Sequence, residues 1–206
     1  MSIAVVDYEA GNLRSVETAL SRIDVPFTIT PDPDVIRHAE RIIFPGVGHA
    51  AHAMQRLQDR GIGSALQEAF AAQVPIFGIC LGCQIVLSSS EEGDGSPCLD
   101  LIPGEAVLFP SSLGLKVPHM GWNEVQHDET HWLFEGIPSG VSFYFVHSYY
   151  PKLNNPESHG LAHTSYGVQF TSAMERGSLV ATQFHPEKSG EYGIRMLENF
   201  CLRPRI

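Results

Sequence analysis

Basic residues are scarce in this chain of 206 residues: 13 Lys and Arg stand against 23 Asp and Glu, a formal net charge of −10. That balance excludes a general binder of nucleic acid or anionic membrane, which needs a basic face. Cysteine is scarce too. Cys80, Cys83, Cys98 and Cys201 are irregularly spaced, so no disulfide framework is expected and the chain reads as intracellular. Cys80 and Cys83 form a C-x-x-C pair, open to a redox reading, but without a second such pair zinc is not expected. Long apolar runs are missing as well. The longest, around residues 74–87, is broken by Pro, Gly, Cys and Gln and is too short to span a membrane. No basic leader precedes Ile3-Ala4-Val5-Val6-Asp7, so no signal peptide is expected and the location expected is cytoplasmic. Repeats, low-complexity segments and linkers are absent. With 43% hydrophobic residues and no compositional break, 1–206 is expected to fold as a single domain.

What is present alternates. Ile3–Asp7 reads as a buried strand. Asn12–Ile23 reads as a helix, with Leu13, Val16, Leu20 and Ile23 at helical spacing. Phe27–Thr30 and Arg41–Phe44 read as strands, ended by Pro31-Asp32-Pro33-Asp34 and by Pro45-Gly46-Val47-Gly48. Helical stretches at about 49–59 and 63–73 lead to a strand at Ile76–Ile79. This order implies βαβ units, a parallel sheet covered by helices, and a site at the carboxyl ends of the strands. In the second half, Ala106–Phe109, Trp122–Val125, Ser142–Val146, Val168–Ser172 and Leu179–Phe184 read as strands extending the sheet in mixed or antiparallel fashion. A helix, Glu191–Leu202, closes the chain.

Chemistry concentrates at two places. Gly78-Ile79-Cys80-Leu81-Gly82 ends a β-favouring run and opens a helical pattern, the layout of a nucleophile elbow with cysteine as the nucleophile. Its glycines allow a sharp turn, and the helix start favours thiolate over thiol. Downstream, Gln183-Phe184-His185-Pro186-Glu187 offers a base, His185, and an orienting carboxylate, Glu187. Residues two apart share a face in extended chain, and Pro186 is expected to keep the segment extended. Together Cys80, His185 and Glu187 point to acyl transfer. Amides of the Gly46-Val47 turn, with that of Leu81, could form an oxyanion hole.

Other signals have blander readings. His127 and His131 stand four apart without the order of a zinc helix, so no metal is expected there. His49 and His52 read as helix-surface residues, Phe143–Tyr149 as a core strand, and Glu91-Glu92-Gly93 as a solvated helix end.

Gly78–Gly82 with His185-Pro186-Glu187 resembles the class I (triad) glutamine amidotransferases. Asp7–Leu13, Phe44–Gly48, Pro118–Asn123 and Gln183–Ser189 are similar to the glutaminase subunits of imidazole glycerol phosphate synthases, and the resemblance runs from Ile3 to about Cys201. It implies a three-layer, flavodoxin-like α/β fold: a mixed, mainly parallel sheet with helices on both faces. It implies glutamine hydrolysis through a Cys80 thioester, with no cofactor, and ammonia passed to a cyclase subunit with a (β/α)8 barrel in a heterodimer. By the same resemblance, Gly48, Gln84, Glu92, Ser148 and Tyr149 would hold glutamine. Asn12, Trp122 and Lys188 would lie near the partner, and a flip around Gly46-Val47 would act as a switch. The sequence departs from the pattern at Cys83, Glu9 and His49. Competing readings are the glutaminase of another synthase, serving pyridoxal phosphate or sugar amidation, a stand-alone γ-glutamyl hydrolase or cysteine peptidase, and a redox sensor.

Overall fold

The computed structural model describes residues 2–9, 13–93 and 95–203. The first half folds as its alternation implies. Strands β1 (Ile3–Val6), β2 (Phe27–Thr30), β3 (Arg41–Gly46) and β4 (Ile76–Cys80) alternate with helices α1 (Arg14–Ile23), α2 (Pro33–Arg37), α3 (Ala50–Asp59) and α4 (Ile62–Ala71). Helix α2 falls where only a strand-ending turn is expected. Asp32 caps it by accepting from the Asp34 amide at 2.8 Å, with Pro33 in the first turn.

The helix after the elbow, α5 (Leu81–Ile85), has a single turn, and the chain then enters β5 (Leu87–Ser90). Serines compete poorly for helix, and here the Ser88 hydroxyl bonds the Asp100 carboxylate at 2.5 Å. The remaining strands are β6 (Ser96–Pro97), β7 (Ile102–Leu108), β8 (His119–Glu124), β9 (Gln126–His127), β10 (Ser142–His147), β11 (Tyr149–Leu153), β12 (Gly160–Tyr166), β13 (Val168–Arg176) and β14 (Leu179–Thr182). A short helix, α6 (Pro156–His159), precedes β12, and α7 (Gly190–Leu202) is the last element.

The main sheet runs β2-β1-β3-β4-β14-β13-β12-β9. Its first five strands are parallel and the last three pairings antiparallel. The fold is therefore α/β, with a mixed, mainly parallel sheet in the flavodoxin-like strand order. Strand alternation splits the core. Ala4, Val6, Ile42 and Phe44 face α2–α5, while Ile3, Val5, Ile43 and Phe77 face α1 and α7. Because helices cover both faces, the inner strands β1, β3 and β4 are nearly continuously apolar, while the edge strand β2 alternates. Three expected strands lie elsewhere. Trp122–Val125 and Ser142–Val146 fall largely within β8 and β10, which form their own antiparallel pair, and Ala106–Phe109 belongs largely to β7 in the sheet β11-β7-β5-β6. These small sheets sit over the carboxyl ends of the parallel strands through β11 and β10 rather than widening the main sheet.

The tightest approach is at the elbow. A Cβ on Gly82 would overlap the Phe44 carbonyl oxygen, and one on Gly78 would lie 3.2 Å from Gly82 backbone and from the Ala181 methyl. Gly82→Ala is expected to push α5 off β3 and to lower stability by about 1–3 kcal/mol. Urea unfolding checks this; an unchanged midpoint would show that α5 has slack.

Candidate active site

Cys80 ends β4 and begins α5 with φ 55° and ψ −106°, a conformation that side-chain-bearing residues rarely adopt. The turn aims its sulfur into a cavity of about 250 Å³ that Val47, Gly48, Leu81, Gln84 and Glu92 line from one side. Pro118, Val146, His147, Ser148 and Tyr149 close the other. Five residues expected to hold glutamine, Gly48, Gln84, Glu92, Ser148 and Tyr149, are thus brought to one cavity with Cys80. Gly46 pairs with Cys80 across β3 and β4 and stays behind the wall, beneath the buried Tyr8 hydroxyl. Gly48, at φ 104°, carries the chain round the rim.

His185 and Glu187 come together on different grounds from those expected. Pro186–Lys188 is a 3₁₀ turn, not extended chain. The turn brings the Glu187 carboxylate to Nδ1 of His185 at 2.8 Å, with both side chains buried. Nδ1–H is therefore the donor, and Nε2 is the nitrogen left for Cys80. Burial pulls the His185 pKa down, but the Cys80 thiolate and Glu187 outweigh it and raise it to about 10. Cys80 favours the imidazolium through its charge and through hydrogen bonding.

The wall holds two further histidines of opposite character. His147 Nδ1 lies 2.8 Å from the Tyr149 carbonyl and must carry hydrogen; its Nε2 then accepts from His119 Nδ1 at 2.9 Å. His119 Nε2 accepts from the Asn123 amide at 3.2 Å. Both rings are satisfied when neutral. Burial lowers His119 to about 4 and His147 to about 3.

Glu92 does not end in solvent after a helix. It follows β5, and its carboxylate accepts from the Ala50 amide at 2.6 Å, capping α3. His49 is the N-cap residue of α3 rather than a plain surface residue, and its ring lies 4.9 Å from that of His52. Glu9, at φ 60°, pairs with Arg60 at 2.5 Å. His127 stacks on Phe134 at 3.9 Å and His131 pairs with Glu175 at 3.1 Å. Among the described residues no cluster of metal-binding side chains occurs. Cys83 is fully buried in the α3–α5 core, where burial pushes its thiol up. Trp122 and Met120 project from β8, about 60% exposed (59% and 62%). Trp122 lies edge-on to Tyr144, and the Lys188 ammonium sits 5.9 Å above the Tyr144 ring. Asn12 lies outside the described residues.

Two outcomes are expected. Replacing His185 with Asn removes the cation beside the sulfur, so alkylation of Cys80 near pH 7 should slow at least about tenfold and its pH profile should move upward. An unmoved profile would break the pairing. The folded His119 and His147 pKa values lie below the ordinary ~6.5, so the unfolded chain binds more protons as pH falls below ~6.5. Stability from this pair is therefore complete above ~6.5 and is lost toward pH ~4. Imidazole ¹⁵N resonances of both rings should remain neutral at about pH 5; a protonated signal from either would contradict the assignment.

The sequence matches the family described as glutamine amidotransferase class-I over residues 4–204. Curated relatives agree. One from Dehalococcoides mccartyi, named imidazole glycerol phosphate synthase subunit HisH, is 46% identical over 96% of this chain and 95% of its own. One of the same name from Moorella thermoacetica is 48% identical over 96% and 93%. Solved structures share the fold at low identity. PurLQS of Thermotoga maritima superposes with a TM-score of 0.74 at 17% identity, covering 97% of this chain and 96% of its own. The glutaminase domain of Trypanosoma brucei CTPS gives 0.69 at 17% identity, covering 100% and 96%. A cysteine elbow, a buried His–Glu pair and a match along nearly the whole chain make this protein a member of the class-I glutamine amidotransferases.

Proposed function

We propose that this chain is the glutaminase subunit of an imidazole glycerol phosphate synthase in histidine biosynthesis, acting as one domain. The observation that carries the chemistry is the buried His185–Glu187 pair set against Cys80 at the elbow. The choice among amidotransferases rests on the two relatives, both named as subunits of that synthase and matched along nearly their whole length. A stand-alone γ-glutamyl hydrolase or peptidase fits less well, because a cavity of about 250 Å³ suits one amino acid.

In this reading the Cys80 thiolate attacks the side-chain carbonyl carbon of glutamine. The oxyanion develops toward the Leu81 amide at the start of α5 and an amide of the Val47 rim. Imidazolium His185 gives its Nε2 proton to the departing nitrogen, and ammonia leaves. Neutral His185 then takes a proton from water, which attacks the γ-glutamyl thioester and releases glutamate and the thiolate. Glu187 holds Nδ1–H throughout, fixing which nitrogen faces the sulfur. Gln84, Glu92, Ser148 and Tyr149 supply polar groups for the ammonium and carboxylate ends of glutamine.

Ammonia passes to a cyclase partner in a heterodimer. Exposed Met120 and Trp122, beside Lys188 and Tyr144, are apolar surface suited to such a partner. A cytoplasmic site is supported by four cysteines that are all free.

Glutamate release should be slow from the chain alone and rise strongly when the cyclase partner and its phosphoribosyl ligand are added. Cys80→Ala should lower that release by on the order of 10³-fold or more while leaving the circular dichroism unchanged. Full activity without a partner would favour a stand-alone hydrolase, and activity surviving in Cys80→Ala would remove the thioester route.

A further inference from the structure

Cys80 has a neighbour that the mechanism above leaves unused. Gln183, between β14 and His185, is completely buried, and its Nε2 lies 3.9 Å from the Cys80 sulfur, within hydrogen-bonding range for sulfur. A buried carboxamide near a nucleophile is informative only if its nitrogen end faces the sulfur. Here the surrounding network decides that. The Tyr149 carbonyl can only accept, and Gln84 lies 2.8 Å from it, so that contact must be the Gln84 amide nitrogen. The same nitrogen lies 2.9 Å from Gln183, so the Gln183 atom there must be the oxygen. Its NH₂ group is thereby turned toward Cys80. The Tyr149 carbonyl is itself held by His147, whose donor is fixed by His119 and Asn123. Each donor direction in the series is thus forced, starting from carbonyl oxygens that cannot donate.

We propose that Gln183 is a further catalytic residue of this enzyme, an N–H donor to the Cys80 sulfur that stabilises the thiolate beside His185. The proposal rests on Cys80 being the nucleophile. Gln84 then has a second task besides glutamine: it holds the Gln183 oxygen, so that the amide cannot flip and present an acceptor to a negative sulfur.

Gln183→Glu is the sharpest test. The carboxylate keeps the shape and still accepts from Gln84, but offers the sulfur no proton. Gln183→Met removes both contacts. Iodoacetamide alkylation of Cys80 in the full chain reads the thiolate directly, without turnover. At about pH 7, Gln183→Met should react about three- to tenfold more slowly than wild type, and Gln183→Glu more slowly still. Both pH profiles should move upward. Unmoved profiles in folded variants would overturn the proposal. In the wild-type chain, the ¹⁵N-resolved Gln183 side-chain amide should shift as Cys80 ionises and stay still in Cys80→Ala. An amide that ignores that ionisation would overturn the proposal even if both variants fail to fold. If instead Cys80→Ala keeps its glutaminase activity, the nucleophile assignment fails, whereas the alkylation shift still reports on Gln183.

Discussion

The site depends on how closely one short helix lies against one strand. Helix α5 is a single turn, and Gly82 sets it on the Phe44 carbonyl of β3 at a separation that no Cβ permits. That contact sets the angle at which the chain leaves β4, and the angle forces Cys80 to a φ of 55°. The strain has a geometric return. A relaxed strand-to-helix turn would leave the side chain along the sheet, whereas this one lifts the sulfur clear of the strand ends. Gly78 completes the arrangement from β4, since its missing side chain leaves room for the backbone of Gly82. The cavity rim follows from the same packing, because β3 ends beside the elbow and Val47 and Gly48 must turn over it.

The two halves of the chain divide the work. Parallel strands deliver Cys80 and the rim to one end of the sheet, as strand polarity requires. They cannot deliver a lid. The antiparallel half does so by leaving the sheet: β10 and β11 cross the strand ends, carrying Val146, His147, Ser148 and Tyr149 over the cavity. The aromatic ring contacts of Phe109, Phe145 and Phe170 around His119 and His147 join that lid to the core on the α1–α7 face of the main sheet. The exposed side chains of Met120 and Trp122 share a face of that small sheet with their cross-strand partners Val146 and Tyr144, and Val146 lines the cavity.

The parallel half is legible in the sequence because burial on both faces writes a nearly uninterrupted apolar run for the inner strands β1, β3 and β4, and the edge strand β2 alternates. The elbow is legible because its chemistry needs particular residues in a row. Strands β5, β11 and β12 are hidden for the opposite reason. Leu87–Ser90, Tyr149–Leu153 and Gly160–Tyr166 are polar, interrupted by proline or only half-buried, and β11 pairs with β7 far back in the chain. His185 and Glu187 do meet, although the extended-chain argument for them fails; a 3₁₀ turn brings i and i+2 together by another route. Glu92 misleads because two adjacent glutamates look like a solvated end, while the amide that Glu92 caps, Ala50, lies 42 residues earlier in the chain. Gln183 and the His119–His147 pair carry no sequence signal at all, since their meaning lies in which hydrogen-bonding groups meet across four strands and a loop.

Those histidines also show what sets proton affinity in this site. His147 and His185 are both buried, and burial alone would drive both toward the neutral form. They diverge through their partners. His147 faces a carbonyl and another imidazole, which bind its neutral form fully and offer nothing to a charge. His185 faces a carboxylate and a thiolate, which hold its proton despite burial. The cavity wall therefore holds, in His147, a histidine that cannot compete for protons, while His185, set against Cys80, holds its own. In the proposed reaction the division keeps the mobile proton on the nitrogen facing the sulfur, where the departing ammonia would collect it. A wall built from chargeable groups would share that proton, and the neutrality of the lid is thus part of how the opposite wall does acid–base chemistry.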